Sequence, residues 1–301
     1  LIHKLLPVDD RMIVLESNPS YMDNTGALFD EMLKHNLDKK YKLIWLIFDG
    51  NFKNEKGSWK EVNIKYSTGK SRLARKFSVL KANYYYSRAK YNFHSHRNYY
   101  HFIPKKNQII VNLTHGTPLK NSTGRHGSQK YVNYIVSTSQ FAKELLLKTY
   151  DEFNGDFIIT GFPRNDKLIK ETVKKNIIFW LPTYRQHKSS LNDDQFDTFP
   201  LGMNAKKFKF LDSYLIENNY KMIIKPHPAQ KLDIHDGLKN IEFISDSSLV
   251  HNDEHLYEIL SKTEILITDY SSVFLDFLLL DRPIIFTFDD LDSYSIDPGF
   301  M

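Results

Sequence analysis

The stretch EILITDYSSVFLDFLLLDRPIIFTF (264–288) contains a complete strand–helix–strand unit. Apolar residues are nearly continuous in EILITD (264–269) and PIIFTF (283–288), whereas VFLDFLLL between them has the spacing of a helix over 272–280. Short strands that are apolar on both faces are typical of parallel sheets covered by helices. This stretch therefore predicts an α/β fold with parallel strands.

The same alternation of short apolar segments and longer helical patterns extends through the chain, which predicts two doubly wound, Rossmann-like halves around one cleft. Ligands of such sheets bind beyond the carboxyl ends of the strands. The polar segment PRNDKLIKETVKKN (163–176) predicts a boundary between a domain over 1–165 and a second over 166–301. The further predicted strands span 12–17, 42–48, 83–87, 108–113, 133–138, 156–161, 176–181, 220–225 and 241–245, and the further helices span 24–37, 70–81, 139–150, 206–219 and 254–262.

The composition excludes several classes of protein. The 301 residues include no cysteine, which excludes disulfides, thiol catalysis and cysteine-based metal centres and is typical of a reducing cytoplasm. Neither GxGxxG after the first strand nor GxxxxGK[ST] occurs, so dinucleotide-binding and P-loop proteins are not indicated. The candidate motifs contain no compact carboxylate cluster. We therefore expect no metal site and no tightly bound cofactor, and at most a loosely bound divalent cation.

Basic residues are concentrated in one part of the chain. Between Glu61 and Glu144 there are fifteen Lys and Arg residues and no acidic residue, so the net charge of +5 leaves about −10 for the remainder. Within this interval, KANYYYSRAKYNFHSHRNYYHF (81–102) mixes aromatic and basic residues. The pattern fits an anionic membrane surface, a nucleic-acid groove or a solvated surface. Of these partners we expect the anionic membrane surface and no nucleic acid.

The motif THGTPLK (114–120) directly follows the predicted strand QIIVNL. It places His115 at the carboxyl end of a strand, where a general base with a pKa near neutrality would meet a substrate. The alternative is a histidine that only forms hydrogen bonds within its own loop.

A second histidine motif, KPHP (225–228), directly follows the strand YKMII. Two prolines fix the backbone around His227, and Lys225 adds a permanent positive charge. This pattern suits a pyrophosphate clamp in which His227 stabilises or protonates a phosphate leaving group. The alternative is a proline-rich turn with an incidental histidine.

The third motif, TDYSSVFLD, begins at Thr268, where the strand before it ends. Ser271 or Ser272 is predicted to cap the following helix, and a helix N-terminus with hydroxyl groups is a ready phosphate site. Asp276 follows by one turn and could accept a hydrogen bond from a ribose or polyol hydroxyl. Arg185, after the strand NIIFWL, could bind a phosphate through its guanidinium. The alternative for the two serines is ordinary capping of the helix without a ligand. The segment GFPRND (161–166) follows another predicted strand and is interpreted as a link between the two halves.

Taken in order, HGTPLK, GFPRNDKL, LPTYR, KPHP and TDYSSVFLDFLLLDRPIIFTFDDLDSY resemble the CDP-glycerol glycerophosphotransferase family of teichoic acid synthesis. The segment SNPSYMDNTGALFDEML (17–33) resembles the first βα unit of that family. The resemblance implies a GT-B fold, with an acceptor- and membrane-facing first domain and a donor-binding second domain that face each other across a cleft.

The resemblance also implies an activity and its residues. By this resemblance, the chain is expected to be a bacterial enzyme that lies peripherally on the cytoplasmic face of the membrane. The expected reaction transfers glycerol phosphate from CDP-glycerol to an undecaprenyl-linked teichoic acid or capsule-type acceptor and releases CMP. The implied catalytic residues are His115 and His227. The implied CDP-polyol contacts are Arg185, Lys225, Thr268, Ser271, Ser272 and Asp276, and the implied acceptor-side residues are Gly116, Thr117 and Lys120.

Other activities remain open at this point. CDP-ribitol could replace CDP-glycerol, a GT-B sugar transferase could use a nucleotide sugar, or a non-catalytic basic module could bind anions through residues 70–106. No apolar run reaches about 18 residues, so we expect no transmembrane helix. Because the chain lacks an initial Met and ends at DPGFM, we expect a fragment whose second domain is truncated at its C-terminus.

Overall fold

The computed structural model of the chain describes residues 5–48, 58–64, 72–96, 103–122, 128–150, 152–169, 176–183, 199–227, 237–251, 255–296 and 299–301. These residues form two compact units. Unit 1 consists of Leu1–Pro118, Ser122–Arg164 and Met301, and unit 2 consists of Leu119–Asn121 and Asn165–Phe300, as far as each is described.

Unit 1 contains a parallel sheet of seven strands. Its strands are β1 (Asp9–Glu16), β2 (Lys42–Ile47), β3 (Lys60–Asn63), β4 (Ala89–His94), β5 (Ile109–Asn112), β6 (Tyr134–Ser137) and β7 (Asp156–Ile159). Its helices are α1 (Asp23–Lys34), α2 (Leu37–Lys40), α3 (Arg72–Arg88) and α4 (Gln140–Thr149). The strand order is β3-β2-β1-β4-β5-β6-β7, which reverses beside β1 as in doubly wound sheets.

Helices cover both faces of this sheet. Alternate residues of β1 are therefore buried on opposite sides of it. Val14 packs in one cluster with Tyr86 of α3, and Leu15 packs in another with Phe29 of α1. Both strand residues have no exposed surface. The continuous apolar run of this strand is therefore explained by burial on two faces, as its sequence predicts.

One predicted strand of unit 1 is wrong. The segment NYYYS (83–87), in which three tyrosines favour a strand, forms the last turns of α3 instead. Ala82, Tyr85 and Tyr86 are buried in a single cluster, and their spacing of three and four residues places them on one face of a helix. Burial of that face outweighs the strand preference of tyrosine, and the strand of this region is β4.

Unit 2 contains a parallel sheet of five strands. Its strands are β8 (Ile177–Leu181), β9 (Lys221–Ile224), β10 (Ile241–Phe243), β11 (Ile265–Thr268) and β12 (Ile284–Phe286). Its helices are α5 (Ala205–Glu217), α6 (Asp246–His251), α7 (Leu256–Lys262), α8 (Val273–Phe277) and α9 (Leu291–Ile296). The order β10-β9-β8-β11-β12 reverses beside the first strand of the unit, as in unit 1. Short 3-10 helices occur at Pro163–Lys167, Pro200–Gly202 and Leu278–Leu280.

The predicted α/β class with parallel sheets is confirmed by both units. The arrangement of two domains facing each other across a cleft stays a prediction. No helix in the described part of the chain combines the length and the apolar character that crossing a bilayer requires.

Buried polar side chains occur at the ends of three neighbouring strands in unit 1. Glu16, His94 and Asn112 are neighbours in register on β1, β4 and β5, and each is at most 3% exposed. Burial raises the pKa of Glu16 to about 8, although a hydrogen bond from Tyr86 opposes the shift. Burial lowers the pKa of His94 to about 3, helped by the charge of His96. Both groups are therefore neutral at pH 7 in the folded protein.

These two shifts predict a stability maximum between about pH 4.5 and 6.5. Folded Glu16 keeps a proton that the unfolded chain releases above its ordinary pKa of 4.5, so its contribution to stability falls as pH rises towards 8. Folded His94 resists the proton that the unfolded chain binds below 6.5, so its contribution falls as pH drops towards 3.

The variant Glu16→Gln should remove the loss of stability on the alkaline side. Relative to the variant, the native chain should lose on the order of 3 kcal/mol in the free energy of unfolding between pH 5 and pH 8. Urea unfolding across this pH range measures the difference, and Glu31→Gln on the exposed surface is the control. Parallel curves for Glu16→Gln and the native chain would contradict the assignment.

Candidate active site

The start of α1 in unit 1 holds two loops that follow strands of the sheet. The side-chain amide of Asn24 donates to the carbonyl oxygens of Leu113 and Thr114, at 3.0 and 2.9 Å. The amide oxygen of Asn24 accepts from the backbone N–H of Arg164 at 3.2 Å. Asn24 has no exposed surface. One buried amide thus fixes the loop after β5 relative to the loop after β7.

A buried ion pair joins the same loops. The guanidinium of Arg164 donates to the carboxylate of Asp23 at 2.5 Å and to the carbonyl oxygen of His115 at 2.9 Å. The two charged side chains are 8% and 12% exposed. Burial alone would raise the pKa of Asp23, but the charge of Arg164, followed by those of His96 and His115, outweighs it, and this pKa lies below its ordinary value. Asp23 is therefore ionised at neutral pH.

His115 lies on a turn just beyond β5 that requires unusual backbone angles. Thr114 has φ 57° and Gly116 has φ 140°, a region that glycine adopts far more readily than other residues. The side chain of His115 is exposed, and its Nδ1 lies 3.3 Å from the carbonyl oxygen of Ser95. Because a carbonyl only accepts, this contact favours hydrogen on Nδ1 and makes Nε2 the basic nitrogen.

The HGTPLK motif is divided between the two units. Thr117 is buried in unit 1, whereas Lys120 belongs to the segment Leu119–Asn121 of unit 2. There Lys120 forms a β-bridge with Phe300, and the N–H of Asn121 donates to the carbonyl oxygen of Gly299 at 2.8 Å. The structure thus places Lys120 in the unit predicted to bind the donor, rather than in the predicted acceptor domain.

The KPHP motif of unit 2 follows β9, as its sequence predicts. The ammonium of Lys225 lies 2.8 Å from a carboxylate oxygen of Asp246, so its charge is already partly balanced. The side chain of His227 is exposed. Its pKa is lowered by partial burial and by the charges of Lys120 and Lys225, whereas the charge of Asp246 raises it. His227 and the two lysines are therefore close enough to interact electrostatically, which is an arrangement that attracts an anion.

Two predicted contacts of the CDP-polyol are buried among protein groups. The hydroxyl of Thr268 donates to the carbonyl oxygen of Leu181 at 2.8 Å. The carboxylate of Asp276 accepts from the side-chain amide of Asn165 at 3.1 Å and from the hydroxyl of Tyr257. Thr268 has no exposed surface and Asp276 is 4% exposed, so in the described geometry both support the unit itself. Their contacts with a ligand stay predictions.

The helix after the two serines is shorter than its sequence predicts. It spans Val273–Phe277, with a 3-10 turn over Leu278–Leu280, in place of one helix over 272–280. Ser272 occupies the N-cap position without a side-chain capping bond, and the hydroxyl of Ser271 lies 3.5 Å from the N–H of Val273. A helix of five residues has a weaker dipole than a long one, and the phosphate contact of the two serines stays a prediction.

Arg185 lies outside the described residues. Within the described residues, no group of three His, Cys, Asp or Glu side chains is placed to hold a metal ion. The expectation of at most a loosely bound divalent cation stays a prediction.

Four residues of the unit 1 site do not follow from the motifs as functional positions: Asp23, Asn24, His96 and Arg164. Arg164 occurs in GFPRND, which its sequence suggests is only a link between the halves. The available signal is its position after a strand, since the carboxyl ends of parallel strands meet at one edge of a sheet.

A model of one protein family, described as CDP-glycerol:poly(glycerophosphate) glycerophosphotransferase, matches residues 1–301. The chain belongs to this family. The resemblance that the motifs carry is thereby confirmed, and with it the assignment to the transferases of teichoic acid biosynthesis.

Curated relatives of this glycerophosphotransferase family member are longer than the chain. The teichoic acid poly(glycerol phosphate) polymerase of Bacillus spizizenii is 30% identical, over 96% of this chain and 77% of its own length. The enzyme of the same name from Bacillus subtilis is 26% identical, over 96% of this chain and 40% of its own length. The teichoic acid ribitol-phosphate polymerase TarL of Staphylococcus aureus is 25% identical, over 95% of this chain and 51% of its own length.

A solved structure of the wall teichoic acid polymerase TagF has the same fold. It superposes with a TM-score of 0.73 at 20% identity, over 99% of this chain and 76% of the TagF chain. At this identity the likeness supports the architecture of the family member and does not assign its substrate.

Removing one member of the Asp23–Arg164 pair should destabilise unit 1. We expect Asp23→Asn and Arg164→Gln each to lower the free energy of unfolding by about 3–5 kcal/mol, because the remaining charge is buried without its partner. The double variant should lose less than the sum, since the two residues are in contact. Urea unfolding provides the measurement. Lys221→Gln removes the exposed Lys221–Glu242 pair and should change stability by under about 1 kcal/mol. Equal, small losses for buried and exposed pairs would contradict this reading.

Proposed function

We propose that the chain transfers glycerol phosphate from CDP-glycerol to a hydroxyl of a lipid-linked teichoic acid or capsule-type acceptor and releases CMP. Family membership supports the donor class, and a relative at 30% identity is named a teichoic acid poly(glycerol phosphate) polymerase. The observation that carries the proposal is the contact between His115 Nδ1 and the Ser95 carbonyl, because it orients a basic ring nitrogen.

In the proposed reaction, Nε2 of His115 takes the proton of the acceptor hydroxyl while the hydroxyl oxygen bonds to the glycerol-bearing phosphorus. The bond from this phosphorus to the bridging oxygen of CDP-glycerol breaks, and CMP leaves with the bonding electron pair. Asp23 is ionised in the same site, so its charge favours the imidazolium that forms on His115. Phosphoryl transfer depends chiefly on positioning and charge stabilisation, which these residues would provide.

The donor side of the proposal rests on the basic cluster of unit 2. A diphosphate bound near Lys225 would compete with Asp246 for its ammonium and would favour the protonated form of His227. Lys120 joins this cluster in the proposal, in place of the acceptor-side role that its motif suggests. Arg185, Ser271 and Ser272 complete the proposed CDP-polyol site, with at most a loosely bound divalent cation.

The proposal assigns the acceptor to unit 1 and the donor to unit 2. Most of the basic interval between Glu61 and Glu144 belongs to unit 1, which supports contact with an anionic membrane surface. Transfer requires the hydroxyl at His115 to reach the phosphorus held by unit 2, which is the geometry that a GT-B arrangement provides. The proposed location is the cytoplasmic face of the bacterial membrane, with an undecaprenyl-linked acceptor.

CDP-ribitol is the second candidate donor. The relatives include ribitol-phosphate polymerases at 25% identity as well as glycerol-phosphate enzymes. The chemistry at phosphorus is the same for both donors, so the residues described above serve either of them.

The donor can be identified by the release of CMP. The chain, incubated with a lipid-linked acceptor, should release CMP from CDP-glycerol faster than from CDP-ribitol, and formation of a phosphodiester product should accompany release. The reverse preference would assign the ribitol donor, and no release from either would contradict the proposed function.

His115→Ala should lower kcat by about a hundredfold or more, because a general base contributes about 10²–10⁴-fold.

The basic cluster of unit 2 should affect donor turnover. Lys225→Ala and His227→Ala should each lower kcat/KM for CDP-glycerol by on the order of a hundredfold, because each removes stabilisation of the departing CMP. Lys221→Ala is the matched control, since Lys221 begins β9, the strand that Lys225 and His227 follow, and forms an exposed pair with Glu242. A loss of similar size in Lys221→Ala would show that the effect is general charge attraction.

A further inference from the structure

We propose that His96 is a positioning residue for His115, an inference that rests on the proposed function. The two imidazole rings are stacked, with their centroids 4.9 Å apart and their planes 10° from parallel. His96 therefore covers one face of the ring that acts as the proposed base. No motif identifies His96, which lies in the basic, aromatic stretch 81–102.

The stack follows from the pairing of two neighbouring strands. β4 ends at His94 and β5 ends at Asn112, and these two residues are partners in the parallel register. The N–H of Leu113 donates to the carbonyl oxygen of His94 at 2.7 Å, which extends the pairing one step beyond the strands. Adjacent strands lie about 4.8 Å apart. Side chains from the two loops that follow can therefore stack at nearly that distance.

Further contacts hold the backbone next to His96. The N–H of Thr25 donates to the hydroxyl of Ser95 at 2.9 Å, and the two hydroxyls are 2.5 Å apart. Ser95 is 1% exposed. Its carbonyl oxygen is the group that faces Nδ1 of His115. Ser95 and His96 together thus restrain His115 from two directions, one through a ring edge and the other through a ring face.

The charge of the stack also suits a base. Burial lowers the pKa of His96, and Arg164 acts in the same direction, while Asp23 opposes them with its Oδ2 4.0 Å from Nδ1 of His96. The His96 ring is therefore neutral at pH 7. A neutral aromatic face is attractive to a cation, so the imidazolium formed on His115 can be accommodated beside it. A second imidazolium at this distance would repel it.

The role of His96 is to keep the His115 ring in one orientation. Rotation of that ring would move Nδ1 away from the Ser95 carbonyl and would remove the preference for hydrogen on Nδ1. Displacement of a catalytic group by about 1 Å can cost about a hundredfold in rate. We therefore expect loss of the stack to reduce turnover without weakening donor binding in unit 2.

Two variants separate the ring from its nitrogens. His96→Phe keeps an aromatic face beside His115, whereas His96→Ala removes it. Nitrogen NMR of the ring-labelled chain reports the tautomer of His115, and CMP release from CDP-glycerol gives kcat and KM. His35→Ala, at the exposed residue that directly follows α1, is the control for histidine removal.

The native chain and His96→Phe should show the tautomer with hydrogen on Nδ1 of His115, and His96→Ala should show both tautomers in exchange. His96→Ala should lower kcat about 10- to 100-fold with KM for CDP-glycerol within about twofold, and His96→Phe should recover kcat to within about fivefold. An unchanged tautomer and kcat in His96→Ala would overturn the proposal, as would an equal loss of kcat in His96→Phe. If the native chain releases no CMP, the proposed function fails, whereas the tautomer measurement still decides whether His96 orients His115.

Discussion

The buried ion pair between Asp23 and Arg164 is the contact on which the site of unit 1 depends. An ion pair this enclosed adds little net stability, because removing both charges from water costs about as much as their attraction returns. Removing one charge alone, however, leaves the other buried without its partner and lowers the stability of the fold. The pair therefore specifies geometry: the guanidinium that binds Asp23 also donates to the carbonyl oxygen of His115. Through this link the loop after β7 determines where the backbone of the proposed base lies.

The two units have similar sheets, but the charged groups around their histidines differ. In unit 1 the carboxylate of Asp23 lies among His96, His115 and Arg164, and in the proposed reaction it stabilises a proton gained by His115. In unit 2, the charges that act on His227 among the described residues are the lysines Lys120 and Lys225 and the carboxylate of Asp246. An arrangement of the first kind favours proton abstraction, and one of the second kind favours an anionic leaving group. The proposed reaction needs both, so in the proposal each half of the chemistry belongs to its own unit.

The strands and the motif turns could be predicted because their signal is local. Apolar segments such as KLIWLI are typical of buried parallel strands, and β2 lies where this run predicts it. The strands β3 and β4 escaped prediction, because KEVN and AKYNFH contain too many polar residues to form an apolar run. The tyrosines of 83–87 predict a strand where the structure has a helix, since only their packing against the sheet shows that they belong to a helix.

The site is harder to predict than the fold, because its contacts join residues far apart in the chain. Asn24 binds the carbonyl oxygen of Thr114, and Arg164 binds Asp23, across 90 and 141 positions. His115 and His227 could be singled out from proline, glycine and strand ends around them. His96 could not, since its stacking on His115 follows from the register of β4 and β5.

The division of HGTPLK has a consequence for taking the protein apart. The chain leaves unit 1 after Pro118, contributes Leu119–Asn121 to unit 2, and returns at Ser122. A cut between Arg164 and Asn165 would therefore not yield two self-sufficient pieces. The N-terminal piece would retain Lys120 without Phe300, and the C-terminal piece would lose the segment that bridges to Phe300. The two units are thus distinct in packing yet not separable in the linear chain, and the same few residues that follow the proposed base complete the neighbouring unit.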